Sequence, residues 1–311
     1  MSKQLIRLSS TALRTIGCAF EFDLTVIKGY KQPPSSKAVY GVALHKFIDT
    51  MYKTESDVSL SLAKAKNAFN ILKEPAPPKQ SYYDDFRHLT NTALTLWTEY
   101  IEKESTFDIL VLDGKAATEI TFDIPYYEDD HIIVRLQGTI DKIGQFKGGC
   151  FAVGDWKTTG QWDLTKFFSS FKVSAQLRIY HMVCLLMSQR EPESTLGRIG
   201  ATRMGTFIEA IQIKPDANDN VIKRSEVFQY SAKEIADFQL QIDDVCHKIS
   251  RMVSTGYIPK EGIVNTHCTK PWGLCKFANV CANSETIGNL ILKKDFIVKE
   301  FTPLNYDAME E

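Results

Sequence analysis

Asp155-Trp156-Lys157 closes a short apolar run from Cys150 to Trp156, and Asp141 lies in the Ile- and Val-rich run before it, His131 to Phe146. Gly148-Gly149 between the two runs is a hairpin signal, since glycine accepts the positive φ of a tight turn. Each strand of such a hairpin brings one acid to the same neighbourhood. Side chains alternate along a strand, so Asp155 and Lys157 share one side and Trp156 takes the other. Two carboxylates and a lysine at strand ends can hold a hard divalent cation beside a water. Asp-x-Lys alone is more often a solvated ion pair, so the surrounding residues decide its meaning.

Upstream, Pro33-Pro34 breaks the chain and Ser35-Ser36 caps a helix of about residues 37–53, mostly buried through Val42, Leu44, Phe47, Ile48 and Met51. Gly41 and His45 are four apart on it and share a face. A lone histidine on such a helix is usually a core residue, and Gly41 allows close approach of another backbone. Gly138-x-x-Asp141 opens the hairpin, and Gln176-x-x-x-Tyr180 follows on one face of a helix of about residues 173–189.

Taken in order, the helix histidine, the Asp, Asp-x-Lys and Gln-x-x-x-Tyr resemble the RecB-type branch of the PD-(D/E)XK nuclease superfamily. The matching span, His45 to Tyr180, covers the catalytic core of that family. The resemblance implies an α/β, restriction-endonuclease-like core: a mixed central β-sheet flanked by helices, with a helical insertion and the two chain ends joined by a cysteine cluster. It implies one nuclease domain over 1–311, divided into N-terminal helices (1–56), insertion (57–105), catalytic sheet and helix (106–215) and a C-terminal helix with the cysteines (216–311). It also implies that His45, Asp141, Asp155 and the backbone carbonyl of Trp156 bind Mg²⁺ or Mn²⁺, with Glu119, on the preceding strand, as a further acid near the metals. Lys157 would then orient water or steady transition-state charge, Gln176 would position water or phosphate, and Tyr180 would pack behind it. The implied activity is metal-dependent hydrolysis of DNA phosphodiesters, with exonuclease action the first expectation, in recombination, repair or replication. The partner is DNA, as single strands or duplex ends. No Gly-x4-Gly-Lys-Ser/Thr motif is present, so ATP-driven unwinding falls to a helicase or recombination protein.

Seven cysteines without a secretion signal argue for metal binding or buried thiols over disulfides. Cys268, Cys275 and Cys281 stand within fourteen residues in a loop-like, Pro- and Gly-containing stretch, a pattern of metal or cluster binding. Thiolates select zinc or iron–sulfur over magnesium. Cys18, late on a helix that Ser9-Ser10 caps and that runs to about Phe22, reads by itself as a small core residue. The resemblance implies instead that Cys18, Cys268, Cys275 and Cys281 ligate a 4Fe–4S cluster, as in the CRISPR-associated and AddB-type nuclease domains. Cys275-x5-Cys281 fits that pattern. Cys268-x6-Cys275 replaces the usual Cys-x-x-Cys, which leaves His267 as a substitute ligand and zinc as an alternative.

The remaining chain supplies the frame. Two helices are expected within 57–104, split by Pro75-Ala76-Pro77-Pro78, the second carrying a stripe of Phe86, Leu89, Ala93, Leu96, Trp97, Tyr100 and Ile101. Strands are expected at about 109–112, 116–126, 131–144 and 150–157, and again at 196–214, where Arg198 and Arg203 are candidate phosphate contacts. Trp162, Lys166, Phe167, Phe168, Phe171 and Lys172 interleave aromatic and basic side chains, which suits either a nucleic-acid strand or an amphipathic helix. Residues 215–219 form a turn, and Ser231 caps a helix to about Thr255.

At 311 residues the chain can bury a substantial core, and 44% hydrophobic with 24% charged residues is ordinary globular composition. A net charge of −1 gives no global basic field to attract nucleic acid. No apolar run approaches the roughly 18–20 residues of a membrane span, and MSKQLIRLSS lacks a signal-peptide stretch. The expectation is an intracellular, cytoplasmic protein without a membrane. Two other readings remain at this stage: a non-cutting DNA-end-binding or scaffolding subunit of the same fold, and a zinc-stapled interaction module.

Overall fold

The computed structural model describes residues 3–54, 56–73, 81–98, 106–112, 114–200, 204–263, 267–270 and 273–298. The chain divides into two compact units that interleave in sequence: 1–33, 121–139 and 232–311 form one, and 34–120 with 140–231 form the other. Strand Ile132–Phe146 contributes its first half to one unit and its second half to the other.

The unit containing 34–120 and 140–231 is α/β with a mixed sheet. The second half of Ile132–Phe146 pairs antiparallel with Phe151–Thr159, in the register Lys142–Gly154 to Gln145–Phe151. The turn between them is the expected Gly-Gly: Gly149 has φ +86° and donates its N–H to the Phe146 carbonyl at 2.8 Å. Phe107–Ile109 pairs antiparallel on the other side of the first hairpin strand. Phe151–Thr159 runs parallel to Gly205–Gln212, and Val221–Arg224 then pairs antiparallel with the latter. A parallel pair needs a crossover, and helix Ala175–Arg190, capped by Ser174, lies within it. Gly205–Gln212 is buried along its whole length, the pattern of a strand covered on both faces.

Helix Ser36–Lys53 begins where Ser35 accepts the Ala38 N–H, as the Pro-Pro-Ser-Ser stretch predicts. It packs with Val58–Lys73 and Phe86–Leu96 around Tyr40, Leu44, Phe47, Met51, Leu89, Leu96, Trp97 and Trp156. The expected stripe on the third of these helices is therefore core, while Tyr100, Ile101 and Pro75-Ala76-Pro77-Pro78 lie outside the described residues. Among the described residues within 196–214, only Gly205–Gln212 is strand. Thr195–Gly200 is a helix, begun where Ser194 Oγ accepts the Gly197 N–H at 3.1 Å. The correction has a local cause, since such capping satisfies helical N–H groups that a strand would pair elsewhere.

In the other unit, Gln4–Leu8, a strand that hydropathy did not reveal, pairs parallel with 132–136. The helix expected from Ser9 to Phe22 is broken. Ser9 caps Ser10–Thr15 as predicted, but the chain opens at Cys18 (φ −134°) and restarts as Ala19–Phe22. Gly17 permits the break because the His267 ring packs against it, where a Cβ would lie 2.8 Å from Nδ1. Helix Ala232–Thr255 follows directly on Ser231. Ile297–Val298 pairs with Tyr30–Lys31, and Leu24, Cys275, Phe277, Val280, Leu292 and Phe296 form a small core. No described helix is long and apolar enough to cross a membrane.

Candidate metal centre

The two hairpin strands separate where the acids begin. Their ladder ends at Lys142–Gly154, and beyond it the Asp141 carboxylate replaces a backbone acceptor: Oδ2 takes the Trp156 N–H at 2.7 Å. His45 enters beside it, with Nδ1 3.6 Å from the same oxygen and its ring hydrogen-bonded to the Trp156 backbone. The Trp156 peptide thus lies between His45 and Asp141. Glu119 completes the group. One ligand atom each from His45, Glu119 and Asp141 lie within 4.8 Å of one another.

Asp155, fully buried, stands next to this group, with its carboxylate engaged by three partners. Gln176 Nε2 donates to Oδ1 at 2.8 Å, Tyr180 Oη to the same oxygen at 3.3 Å, and the Lys157 ammonium pairs with Oδ2. Gln176 Nε2 also lies 2.8 Å from Tyr180 Oη, so the i, i+4 pair acts as one bracket on Asp155. His45, Asp141, Asp155, Lys157, Gln176 and Tyr180, singled out by sequence spacing, meet here. The distribution differs from the expected one in a single respect: Glu119, carried as an accessory acid, shares the tight group with His45 and Asp141, whereas Asp155 is held by the lysine, glutamine and tyrosine.

Electrostatically, burial dominates the acids of the centre. Burial pushes Asp155 up to about 6, with Lys157 opposing and Asp141 adding. Asp141 is raised for the same first reason. Glu119 lies well above the carboxylate range through burial, then through Asp141 and Asp49. His45 is lowered to about 4 by burial and the Lys157 charge, so its imidazole is neutral at pH 7 and free to act as a nitrogen ligand. Crowded carboxylates that resist ionising together, beside a neutral imidazole, form a donor set suited to a divalent cation.

Trp156 anchors the centre from the opposite face of its strand. Its Nε1 donates to Glu209 Oε2 at 2.9 Å, its ring stacks on Tyr52 at 6.1 Å, and the His45 ring meets it edge-on. Glu209 is buried between the Lys142 ammonium and Arg224, whose Nε donates at 2.8 Å. Burial alone would raise the Glu209 carboxyl, and the two cations more than offset it. Gly41 allows a close approach, as expected, but to a side chain: a Cβ there would lie 2.8 Å from Thr158 Oγ1.

Sequence reasoning missed Asp49 and Thr118. Asp49, one turn beyond His45, is buried and accepts a 2.6 Å hydrogen bond from Thr118 Oγ1, with Lys53 at 2.8 Å. Thr118 immediately precedes Glu119, whose backbone is left-handed (φ +50°), a conformation that costs a non-glycine residue on the order of 1 kcal/mol. From this backbone the Glu119 carboxylate reaches the group with His45 and Asp141. His45-x-x-x-Asp49 was the available signal, since i, i+4 places both on one helix face.

Of the cysteines, Cys18 and Cys268 converge on Gly262, where a Cβ would lie 3.3 and 3.0 Å from their respective sulfurs. Cys281 lies near enough that, after burial, the Cys18 and Cys268 thiols push it up, with Lys260 opposing. Cys275 is buried beside Phe277, and its N–H donates to the Cys268 carbonyl at 2.7 Å. His267, the substitute ligand, points its Nε2 to Glu21 at 2.6 Å. Arg198, a candidate phosphate contact, donates to the Glu193 carbonyl at 3.0 Å, and Arg203 lies outside the described residues.

No protein-family model matches the chain, and no curated protein does. Among solved structures, the crystal structure of a protein called SSO0001 aligns over 76% of this chain and 76% of its own, with 10% identity and a TM-score of 0.27. A likeness that low carries no argument about fold or function.

Proposed function

We propose that the chain is a divalent-metal-dependent deoxyribonuclease with a restriction-endonuclease-like core of the RecB type. The observation that carries the reading is the convergence of His45, Glu119 and Asp141 within 4.8 Å, beside an Asp155 braced by Lys157, Gln176 and Tyr180. His45, Glu119 and Asp141, with Asp155 and the Trp156 backbone adjoining, would hold Mg²⁺ or Mn²⁺. The nitrogen donor tilts the preference toward Mn²⁺. A bound cation there would acidify a water and offset charge on the scissile phosphate. Lys157 presents its ammonium at Asp155, where it can stabilise the charge that builds on the phosphoryl oxygens. Gln176 and Tyr180 fix the rotation of the Asp155 carboxylate and leave Oδ2 to face the lysine.

The cysteines are read as the ligands of one 4Fe–4S cluster. Two sulfurs flank Gly262 and a third lies close to both. Bound there, the cluster would cross-link the two ends of the chain. The acting partner is DNA.

The test is incubation of anaerobically purified protein with end-labelled single- and double-stranded DNA in Mn²⁺, Mg²⁺ or EDTA. Cleavage in either metal, abolished by EDTA and by Asp155→Ala, is expected. DNA binding without cleavage in any metal would replace this reading with the non-cutting subunit. Zinc without iron and no interaction with DNA would replace it with the interaction module.

A further inference from the structure

Past Lys157 the strand Phe151–Thr159 ends, and three residues later the chain presents Trp162, 80% exposed. An indole that open is unusual for a side chain which gains so much from burial, yet the backbone carrying it is pinned on both sides. The Gln161 N–H donates to Thr159 Oγ1 at 3.1 Å, and the Gln161 carbonyl accepts Gln212 Nε2 at 2.6 Å. On the other side Asp163 Oδ1 caps helix Leu164–Ser169 through the Thr165 and Lys166 N–H groups. Lys214 places its ammonium 5.4 Å from the indole centroid. Its own backbone is held by Asn220 Oδ1 on the N–H (2.6 Å) and His88 Nε2 on the carbonyl (2.8 Å). A large aromatic surface therefore stands in solvent on a fixed pedestal with a cation against it and exposed Lys166 nearby.

The position is as telling as the exposure. Trp162 and Lys214 lie past the carboxyl ends of the two parallel strands, Phe151–Thr159 and Gly205–Gln212, the place where open α/β sheets bind ligands. Trp162 is five positions past Lys157, a reach of at most about 18 Å. At about 3.4 Å per nucleotide along a strand, that is no more than about five steps from the metal centre.

We infer that Trp162 is a stacking platform for an unpaired base of the DNA strand entering the metal centre, with Lys214 and Lys166 taking neighbouring phosphates. The site therefore selects a single-stranded end over a closed duplex. The inference rests on the nuclease reading and adds to it the form of the substrate. A base inside a duplex already has both faces stacked and cannot lie on the indole, whereas an unpaired base can, whatever its identity. Fixing the indole before binding removes the ordering cost of the contact.

The experiment is equilibrium binding of a fluorescent oligo(dT) 15-mer and of a covalently closed duplex circle, with Ca²⁺ in place of Mg²⁺, to wild type, Trp162→Ala and Trp162→Phe. Stacking is worth enough per base that Trp162→Ala should weaken oligo(dT) binding by between about fivefold and a hundredfold. Trp162→Phe should recover part of the loss, and duplex binding should change by less than about twofold. Intrinsic tryptophan emission of the wild type should be quenched by oligo(dT), with most of the quenching absent in Trp162→Ala. Because the indole is exposed, the variants should melt with the wild type. Equal loss on single strand and duplex, or no loss on either, overturns the stacking platform while leaving cleavage, and with it the nuclease reading, intact. A wild-type protein that neither binds nor cuts DNA removes both.

Discussion

At the scale of single residues, the proposed nuclease reading places the chemistry on Asp155 and Lys157, which pair with each other at the centre. Asp155→Ala or Lys157→Ala should cost at least about two decades of cleavage rate while the thermal midpoint and DNA affinity stay near wild type. Retained cleavage by either variant, followed with end-labelled DNA, would sink the assignment of these residues. The centre also has a definite pH signature. Asp155 titrates near 6 when folded, above its unfolded value, and Asp141 and Glu119 are raised in the same direction. Between about pH 4 and 6 the folded metal-free protein holds protons that the unfolded chain has released. These acids therefore contribute stability at low pH that is lost as pH rises through the folded value. His45, lowered to about 4, works oppositely over about pH 4 to 6.5 and offsets one acid of the three. The metal-free protein should accordingly lose stability across this interval, and saturating Mn²⁺ should restore it, with Mn²⁺ affinity lower at pH 5 than at pH 7.5. Thermal melts across pH with and without Mn²⁺ read this directly, and Asp155→Asn should flatten the metal-free slope.

At the scale of elements, the centre depends on how closely the histidine helix Ser36–Lys53 approaches the strand Phe151–Thr159. Gly41 sets that distance at one point, since an added Cβ would lie 2.8 Å from Thr158 Oγ1. Alanine in place of a mid-helix glycine would otherwise gain roughly 0.5–1 kcal/mol, so the sign of Gly41→Ala reports the clash. A net loss of about 1–2 kcal/mol in urea unfolding is expected, with weaker Mn²⁺ binding because His45 lies one turn on. Adding Thr158→Ala should remove the clash and leave the double variant at least as stable as Thr158→Ala alone. A stabilising Gly41→Ala in the wild-type background would show that the approach is not tight. The sheet itself could be read from the sequence in outline, because alternation and the Gly-Gly turn are local signals. The Thr195–Gly200 helix could not, because its apolar residues match a short strand equally well and the deciding contact is the Ser194 cap.

For the whole molecule, the proposed cluster would connect distant parts of the sequence. Cys18 and Cys268 are about 250 residues apart, and both reach Gly262. Tying such a loop removes about 5 kcal/mol of chain entropy from the unfolded state in the simplest treatment. Anaerobically purified protein should be brown, with about four iron atoms per chain. Cys18→Ser should lose the iron and lower the thermal midpoint by roughly ten degrees. Cys150→Ser is the control, since that thiol is partly exposed and donates to the Phe151 carbonyl at 3.4 Å. Cys184→Ser and Cys246→Ser should keep the colour but lose stability, because each puts a hydroxyl into a fully buried site. A colourless protein with one zinc per chain would retain the cross-link and discard the cluster. Equal stability of the metal-free Cys18→Ser variant and wild type would discard the cross-link.

Sequence alone determined the features that depend on near neighbours: the hairpin, the sides its residues take, the capped helix that presents His45, and the i, i+4 pairing of Gln176 with Tyr180. Periodicity, turn chemistry and capping act over a few residues, so they are written in consecutive letters. Tertiary structure decided what each acid does. Glu119 joins His45 and Asp141 from a left-handed backbone, next to a buried hydrogen bond from Thr118 to Asp49 sixty-nine residues earlier. Asp155 is held by Lys157, Gln176 and Tyr180 because the helix Ala175–Arg190 returns across its strand. The break at Cys18 likewise lies beside His267, which packs on Gly17 from the far end of the sequence. Each of these outcomes is a balance of strain and packing between residues remote in sequence, which local pattern does not encode.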